Sequence, residues 1–250
     1  MHILLGEDVS MSGHSKWHNI RLKKEKTDGQ RAQIFTKLSR EITVAVKEGG
    51  PDPSSNSKLK DIISKAKAAN VPNDNIYRVI DKAAGSSDNS NFESITYEGY
   101  GPEGVAVIVE TLTDNRNRTV SEVRHYFDKY GGNLGATGCV SWNFKRMGVI
   151  GIDSEDLDED AVMLDALDAG ASDFKTEDEV FEIYTEPENF GSVLEQLQKL
   201  NYTFVSAQIE QVPQTYVKIE DEAKAAALQK LLDKLEEFDD VQNVWHNWEE

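Results

Sequence analysis

A single cysteine, Cys139, among 250 residues excludes any intramolecular disulfide, which suits a reducing compartment. The chain is long enough to bury a core without such staples. No apolar run approaches the roughly 20 residues that a membrane-spanning helix needs. The opening MHILLGEDVS has a short apolar stretch, but no basic residues precede it and Glu7 and Asp8 follow, so it does not read as a secretory signal. Met11 can serve as a start, which makes residues 1–10 an extension set aside from the fold argument. A membrane partner is not expected, and a cytoplasmic protein is.

The usual marks of catalysis are also missing. GPEG (101–104) and GGNLGATG (131–138) are rich in glycine, yet neither ends in the GK[ST] of a phosphate-binding loop. Both read as turns. His14 and His18 have the spacing of a helical metal pair, without a third ligand or an HExxH pattern, so no metal is expected. Cys139 stands beside Val140 in an apolar stretch with no assignable base and reads as a buried thiol. The carboxylates of the C-terminal helices read as solvated faces. No catalytic set and no cofactor site emerge, so a non-enzyme is expected.

What is present is charge, and it is unevenly placed. The net charge of −18 would argue against a nucleic-acid partner. Residues 11–82, however, hold 15 Lys+Arg against 8 Asp+Glu, a net +7, whereas residues 83–250 hold 12 against 35. A split of this size points to a polyanion-binding module at one end.

Gln33, Ile34, Leu38, Ile42 and Val46 recur at helical spacing over 28–48. Thr27 and Gln30 form a capping box before that helix, and Gly49-Gly50 stops it. A second helix is expected over 57–69, with Leu59, Ile62, Ile63 and Ala66 inward, and a third from Pro72 through Ile80. GSSDNSN (85–91) has the composition of a hinge. Beyond it strands and helices alternate. Strand 148–153, helix 159–169, strands 171–175 and 179–185, helix 187–200 and strand 203–211 give the βαββαβ order of a ferredoxin-like unit. The flanking segments supply a second set: strand 105–113, a helix capped by Thr119 and Glu122 and running through Tyr130, strand 139–146, strand 215–219, helix 221–236 and strand 241–247. The expected fold is α+β, a three-helix domain followed by two ferredoxin-like α/β domains, one inserted in the other. The boundaries are 11–83 for the helical domain, 84–147 plus 213–250 for the discontinuous one, and 148–212 for the insert.

The candidate binding residues begin in GHSKWHNIRLKKEK (13–26), where Lys16, Arg21, Lys23, Lys24 and Lys26 surround Trp17 and His18. Cations neutralise phosphates and release counterions, and an aromatic face stacks on an unpaired base. Arg31, Lys37 and Arg40 continue the basic character on the first helix, and Lys58, Lys60, Lys65 and Lys67 on the second. TDNRNRT (113–119) joins a strand to a helix, and its Arg116, Asn117 and Arg118 are placed to grip a backbone phosphate. The alternative for the arginines is a local salt bridge to the acidic body.

SGHSKWHNIR, IFTKLSREITVAVKEGGPDP, KAKAANVPNDNI, YEGYGPEGVAVIVETLTDNRNRTVSEVR and GGNLG together resemble the YebC family, from Met11 to the closing DVQNVWHN. The resemblance implies an α-helical N-terminal domain and two α/β domains. It also implies a cytoplasmic regulator of gene expression. Bacterial members of that family are described as DNA-binding transcriptional regulators and are linked to ribosomes stalled on proline-rich stretches; mitochondrial members activate translation. The family's basic motif falls on Gly13–Arg21 and its loop motif on Thr113–Thr119, while the acidic body departs from a DNA-binding surface. Three readings follow. A ribosome-associated factor that docks on ribosomal RNA suits the charge split best. A sequence-specific transcriptional regulator is the second. An enzyme using the cleft between the two ferredoxin-like domains is the third and weakest.

Overall fold

The computed structural model describes residues 28–85, 91–177 and 179–249, with side chains from Arg31 onward. These fall into two compact units, one running to Val140 and resuming over Asp221–His246, the other comprising Ser141–Glu220 and the strand after Asn247.

The first unit opens with helices α1 (Asp28–Gly49), α2 (Ser57–Ala68) and α3 (Asn73–Ala84). Leu38, Ile42 and Val46 of α1 meet Leu59, Ile62 and Ile63 of α2 and Ile76 and Ile80 of α3 in one core. Leu38, Ile42 and Val46 of the spacing read from the sequence are thus the buried stripe, with Ile34 packed partly buried against it, whereas Gln33 turns away from this core and donates to Glu236 O. The turn between α1 and α2 is organised by Asn56, which is 6% exposed. Its Oδ1 accepts from Leu59 N at the start of α2, and its Nδ2 donates to Ala45 O and Gly50 O, both at 2.8 Å. Gly49 is required beside it, because a Cβ there would lie 2.7 Å from Asn56 Nδ2. Pro72 is the residue before α3, and that helix runs a turn past Ile80 to Ala84. The expected capping box at Thr27 and Gln30, and most of the hinge at 85–91, lie outside the described residues.

The same unit continues with β1 (Glu93–Tyr100), β2 (Ala106–Thr113), α4 (Arg116–Lys129) and the short β3 (Asn133–Leu134). After the insertion, numbered below, come α7 (Glu222–Glu237) and β9 (Val241–His246). The strands form an antiparallel sheet in the order β3-β1-β2-β9, with Val107–Thr111 of β2 registered against Val241–His246. The last strand thus joins the 105–113 strand as expected. The other two expected strands do not. β1, which the sequence pattern did not announce, takes a central place, and Cys139–Val140 is a turn. The reason is local: Glu98 of β1 accepts from Gly138 N and Val140 N at 2.8 and 2.9 Å, and Tyr100 donates to Cys139 O at 2.8 Å. Side chains satisfy that backbone in place of a ladder. The chain order is therefore ββαβ, then αβ.

The second unit carries β4 (Phe144–Asp153), α5 (Glu159–Asp168), β5 (Asp173–Glu177), β6 (Val180–Thr185), α6 (Phe190–Lys199) and β7 (Phe204–Pro213). Its antiparallel sheet has the order β5-β6-β4-β7, the arrangement expected for the inserted βαββαβ unit. Ile150, Ile152, Phe181 and Ile183 alternate inward and pack on Val162, Ala166, Val193 and Leu197 of the two helices. The segment expected as strand 215–219 shortens to β8 (Val217–Lys218), which pairs in parallel with β10 (Trp248–Glu249). It completes no other sheet.

Candidate nucleic-acid interface

Of the candidate residues, Lys16, Trp17, His18, Arg21, Lys23, Lys24 and Lys26 lie outside the described residues. The remaining six stand on two helix segments of the first unit. Arg31, Lys37 and Arg40 are on α1, and Arg116, Asn117 and Arg118 form the first turn of α4.

Asp240, immediately before β9 and 1% exposed, draws two of them together. Arg118 Nη2 lies 2.8 and 3.0 Å from its two carboxylate oxygens and 2.9 Å from Asp114 Oδ1. From the other side Arg40 Nη1 reaches Asp240 Oδ1 at 2.5 Å, and it also donates to Asp239 O at 2.9 Å and Leu112 O at 3.1 Å. The hydroxyls of Thr119 and Thr113 close the cluster at 2.8 and 3.2 Å from Asp240 Oδ2. Burial pushes the Asp240 carboxyl up, but hydrogen bonds from Arg118, Thr119 and Arg40 outweigh it and hold the group below its ordinary range. Thr119 does not cap α4 as expected, because it is the fourth residue inside that helix and its hydroxyl is spent on Asn115 O and Asp240; Asn115 is the cap, accepting from Arg118 N at 3.1 Å.

Lys37 serves the same junction. With Gln33 it donates to Glu236 O in the last turn of α7, at 2.7 and 3.0 Å. Gln33, Lys37 and Arg40 are spaced four and three residues apart and so share one face of α1. That face meets the carbonyl-rich, partially negative end of α7, where cations are stabilising. Lys37, Arg40 and Arg118 therefore have an architectural role, fastening the helical domain to the β-sheet domain within one compact unit.

An open cleft of about 420 Å³ lies beside this junction. Its charged lining is Arg40, Arg118 and Lys234 against Asp114, Glu237, Asp239 and Asp240. Arg40 and Arg118 are bound to Asp240, and Lys234 is paired with Glu237. An anion entering there would meet paired cations and surplus carboxylate, so this cleft is no phosphate site.

Arg116 differs from its neighbour. It is exposed, with no hydrogen bond or ion pair to any described residue, and it occupies the first turn of α4, where the helix dipole disfavours a cation. Asn117 beside it is exposed too, its carbonyl accepting from Ser121. Arg31 is exposed on α1. On α2 the four lysines divide. Lys58 and Lys65 pair with Glu48 and Glu41 of α1 at 2.7 and 3.2 Å. Lys60 and Lys67, one heptad apart, are exposed and make no ion pair among the described residues. The same holds for Arg78 and Lys82 of α3 and Arg124 of α4, none of which the sequence pattern singled out. The i,i+4 spacing of Arg78 and Lys82 beside the exposed Tyr77 was the available signal.

Cys139 is half-buried, and burial together with Glu98 raises its thiol pKa, which opposes a nucleophilic role. Among the described residues no three His, Cys, Asp or Glu are grouped to hold a metal, and no helix is long and apolar enough to cross a membrane.

Comparison with known proteins places these features in company. Residues 15–86 match the family model described as TACO1/YebC protein N-terminal domain, and residues 92–248 match TACO1/YebC second and third domain. A protein of Acetivibrio thermocellus named probable transcriptional regulatory protein is 60% identical over 239 residues, covering 95% of this chain and 99% of the relative. One of the same name from Caldicellulosiruptor saccharolyticus is 58% identical over 241 residues, with 96% and 99% covered. Among solved structures, that of a conserved hypothetical protein from Aquifex aeolicus is similar with a TM-score of 0.81 and 49% identity, over 90% of this chain and 92% of that one.

Proposed function

We propose that this chain, which belongs to the TACO1/YebC family, is a non-catalytic cytoplasmic regulator of gene expression that holds structured RNA of the ribosome through its basic helical end. The observation that carries the reading is the distribution of unpaired charge. Lys60, Lys67, Arg78, Lys82 and Arg116 are exposed without ion pairs to the described residues. They continue the basic character of Lys16, Arg21, Lys23, Lys24 and Lys26. Lysines act as point charges on phosphate and suit recognition by backbone and shape. Arg116, exposed at a helix N-terminus without an ion pair to the described residues, adds a donor fork beside amides that favour anions. Arg31, Asn117, Trp17 and His18 extend the same contact, whereas Lys37, Arg40 and Arg118 are engaged by Glu236 and Asp240 at the junction of the helical and β-sheet domains.

The names of the relatives favour a second reading, in which the same surface regulates transcription on promoter DNA. Crosslinking in cells, followed by sequencing of the attached DNA and RNA, separates the two. The comparison chain replaces Lys16, Lys23, Lys24, Lys60, Lys67 and Arg116 by alanine and leaves Arg40 and Arg118 intact. Crosslinks concentrated in ribosomal RNA and lost in that chain are the expected result. Enrichment at promoters would replace the ribosomal reading by the transcriptional one, and no nucleic acid attached at all would refute both.

A further inference from the structure

The chain's negative charge is concentrated in the inserted domain. Residues 141–220 hold 5 Lys+Arg against 18 Asp+Glu, a net −13 of the total −18. Between Arg146 and Lys175 there is no Lys, Arg or His at all. Helix α5 lies in the middle of this stretch, and it is apolar on two sides. Val162 and Ala166 face the core, at 1% and 0% exposure, while Met163, Leu164 and Leu167 face outward at 36%, 60% and 48%. The outer three span an arc of about 100° at 3.6 residues per turn. Glu159 and Asp168 border the arc on either side and Asp160 stands within it one turn toward the N-terminus. Leu157, 37% exposed in the preceding loop, adds apolar surface beside Asp156 and Asp158. A helix with apolar residues on both its inner and outer arcs has the pattern of one covered on both sides.

Charge decides what could cover it. A second copy related by a two-fold axis would bring the same acidic rim against itself. Nucleic acid and anionic lipid surfaces are repelled by the same rim. A cationic segment with an apolar face satisfies both features. We propose that the outer face of α5 docks a lysine- or arginine-rich amphipathic helix of a protein partner. Its apolar stripe lies on Met163, Leu164 and Leu167, and its cations lie on Glu159, Asp160 and Asp168. This site is separate from the basic helical end and does not depend on the nucleic-acid reading.

The test uses the full chain and a synthetic peptide of about 18 residues, five helical turns, with leucine at i, i+3, i+4 and i+7 spacing and lysine elsewhere. A peptide of the same composition in scrambled order is the control. Fluorescence anisotropy measures binding, and hydrogen exchange locates it. The amphipathic peptide is expected to bind at least ten times more tightly than the scrambled one and to protect residues 157–168. Leu164→Ser with Leu167→Ser weakens it at least tenfold while circular dichroism stays unchanged, and Asp160→Asn with Asp168→Asn flattens its salt dependence. Equal binding of both peptides would reduce the effect to bulk charge and overturn the proposal. So would protection elsewhere, indifference to the leucine substitutions, or self-association of the chain that Leu164→Ser abolishes.

Discussion

Asp240→Asn is the most informative single change, because it keeps the shape of the side chain and removes one buried charge. Two guanidinium groups then lose their anion. Arg118, 43% exposed, is still solvated and remains beside Asp114, so its loss is that of a screened pair, about 1 kcal/mol or less. Arg40 is 17% exposed and Asp240 1%, which is closer to the buried case, where breaking a pair costs about 3–5 kcal/mol. Asparagine still offers one oxygen to a guanidinium, so a net loss of about 3 kcal/mol is expected. That corresponds to a change on the order of a hundredfold in the local opening equilibrium. Hydrogen exchange read by mass spectrometry suits it, since α1, the start of α4 and the α7–β9 turn all converge on the carboxylate. Peptides covering residues 33–48, 108–119 and 233–246 exchange faster in the variant, and peptides from β4 and β6 do not. Unchanged exchange in the first set would refute the fastening role and return Arg40 and Arg118 to the pool of free cations.

Asn56→Ala removes a helix cap and two buried donors, and costs about 2–3 kcal/mol in thermal or denaturant unfolding of the helical domain. Arg116→Ala leaves stability within about 0.5 kcal/mol of the parent, as for a surface change, while Arg118→Ala measurably lowers the melting temperature of the same unit; equal effects would contradict the division between them. Acid acts in two windows. Burial lowers His246 to about 4 from an ordinary 6.5, so its neutral-state stabilisation is present above pH 6.5 and lost as pH falls toward 4. Asp240, held below 3.8, contributes its stabilisation above that value and loses it only as pH falls further, through the folded-state pKa. Denaturant midpoints against pH therefore lose the upper phase in His246→Gln and the lower one in Asp240→Asn.

The helical bundle and the inserted βαββαβ unit were legible because their apolar positions repeat at the right period, as in Leu59, Ile62, Ile63 and Ala66. β1 was not. ESITYEGY breaks its alternation with two glutamates and a glycine, and one of those glutamates is used to hold a loop. Cys139–Val140 reads as strand because its residues are of strand type, while the amides of Gly138 and Val140 bond to Glu98, 40 and 42 positions away in the chain. The candidate site was legible as charge and illegible as partnership. Asp240 lies 200 residues from Arg40 and 122 from Arg118, and no local pattern announces such a contact. Spacing identified Lys37 as part of a basic face; only the tertiary fold shows that the face meets the end of α7.

The most direct test of the central claim is equilibrium binding of the full chain to a ribosomal RNA fragment and to duplex DNA over a series of salt concentrations. Binding dominated by phosphate contacts gives a linear fall of log affinity with log salt, about 0.7–0.9 per phosphate neutralised. Tighter binding to the folded RNA is predicted. So is a shallower slope when Lys16, Lys23, Lys24, Lys60, Lys67 and Arg116 are alanine. Absence of binding at low salt, or a slope that those substitutions leave unchanged, would contradict the claim.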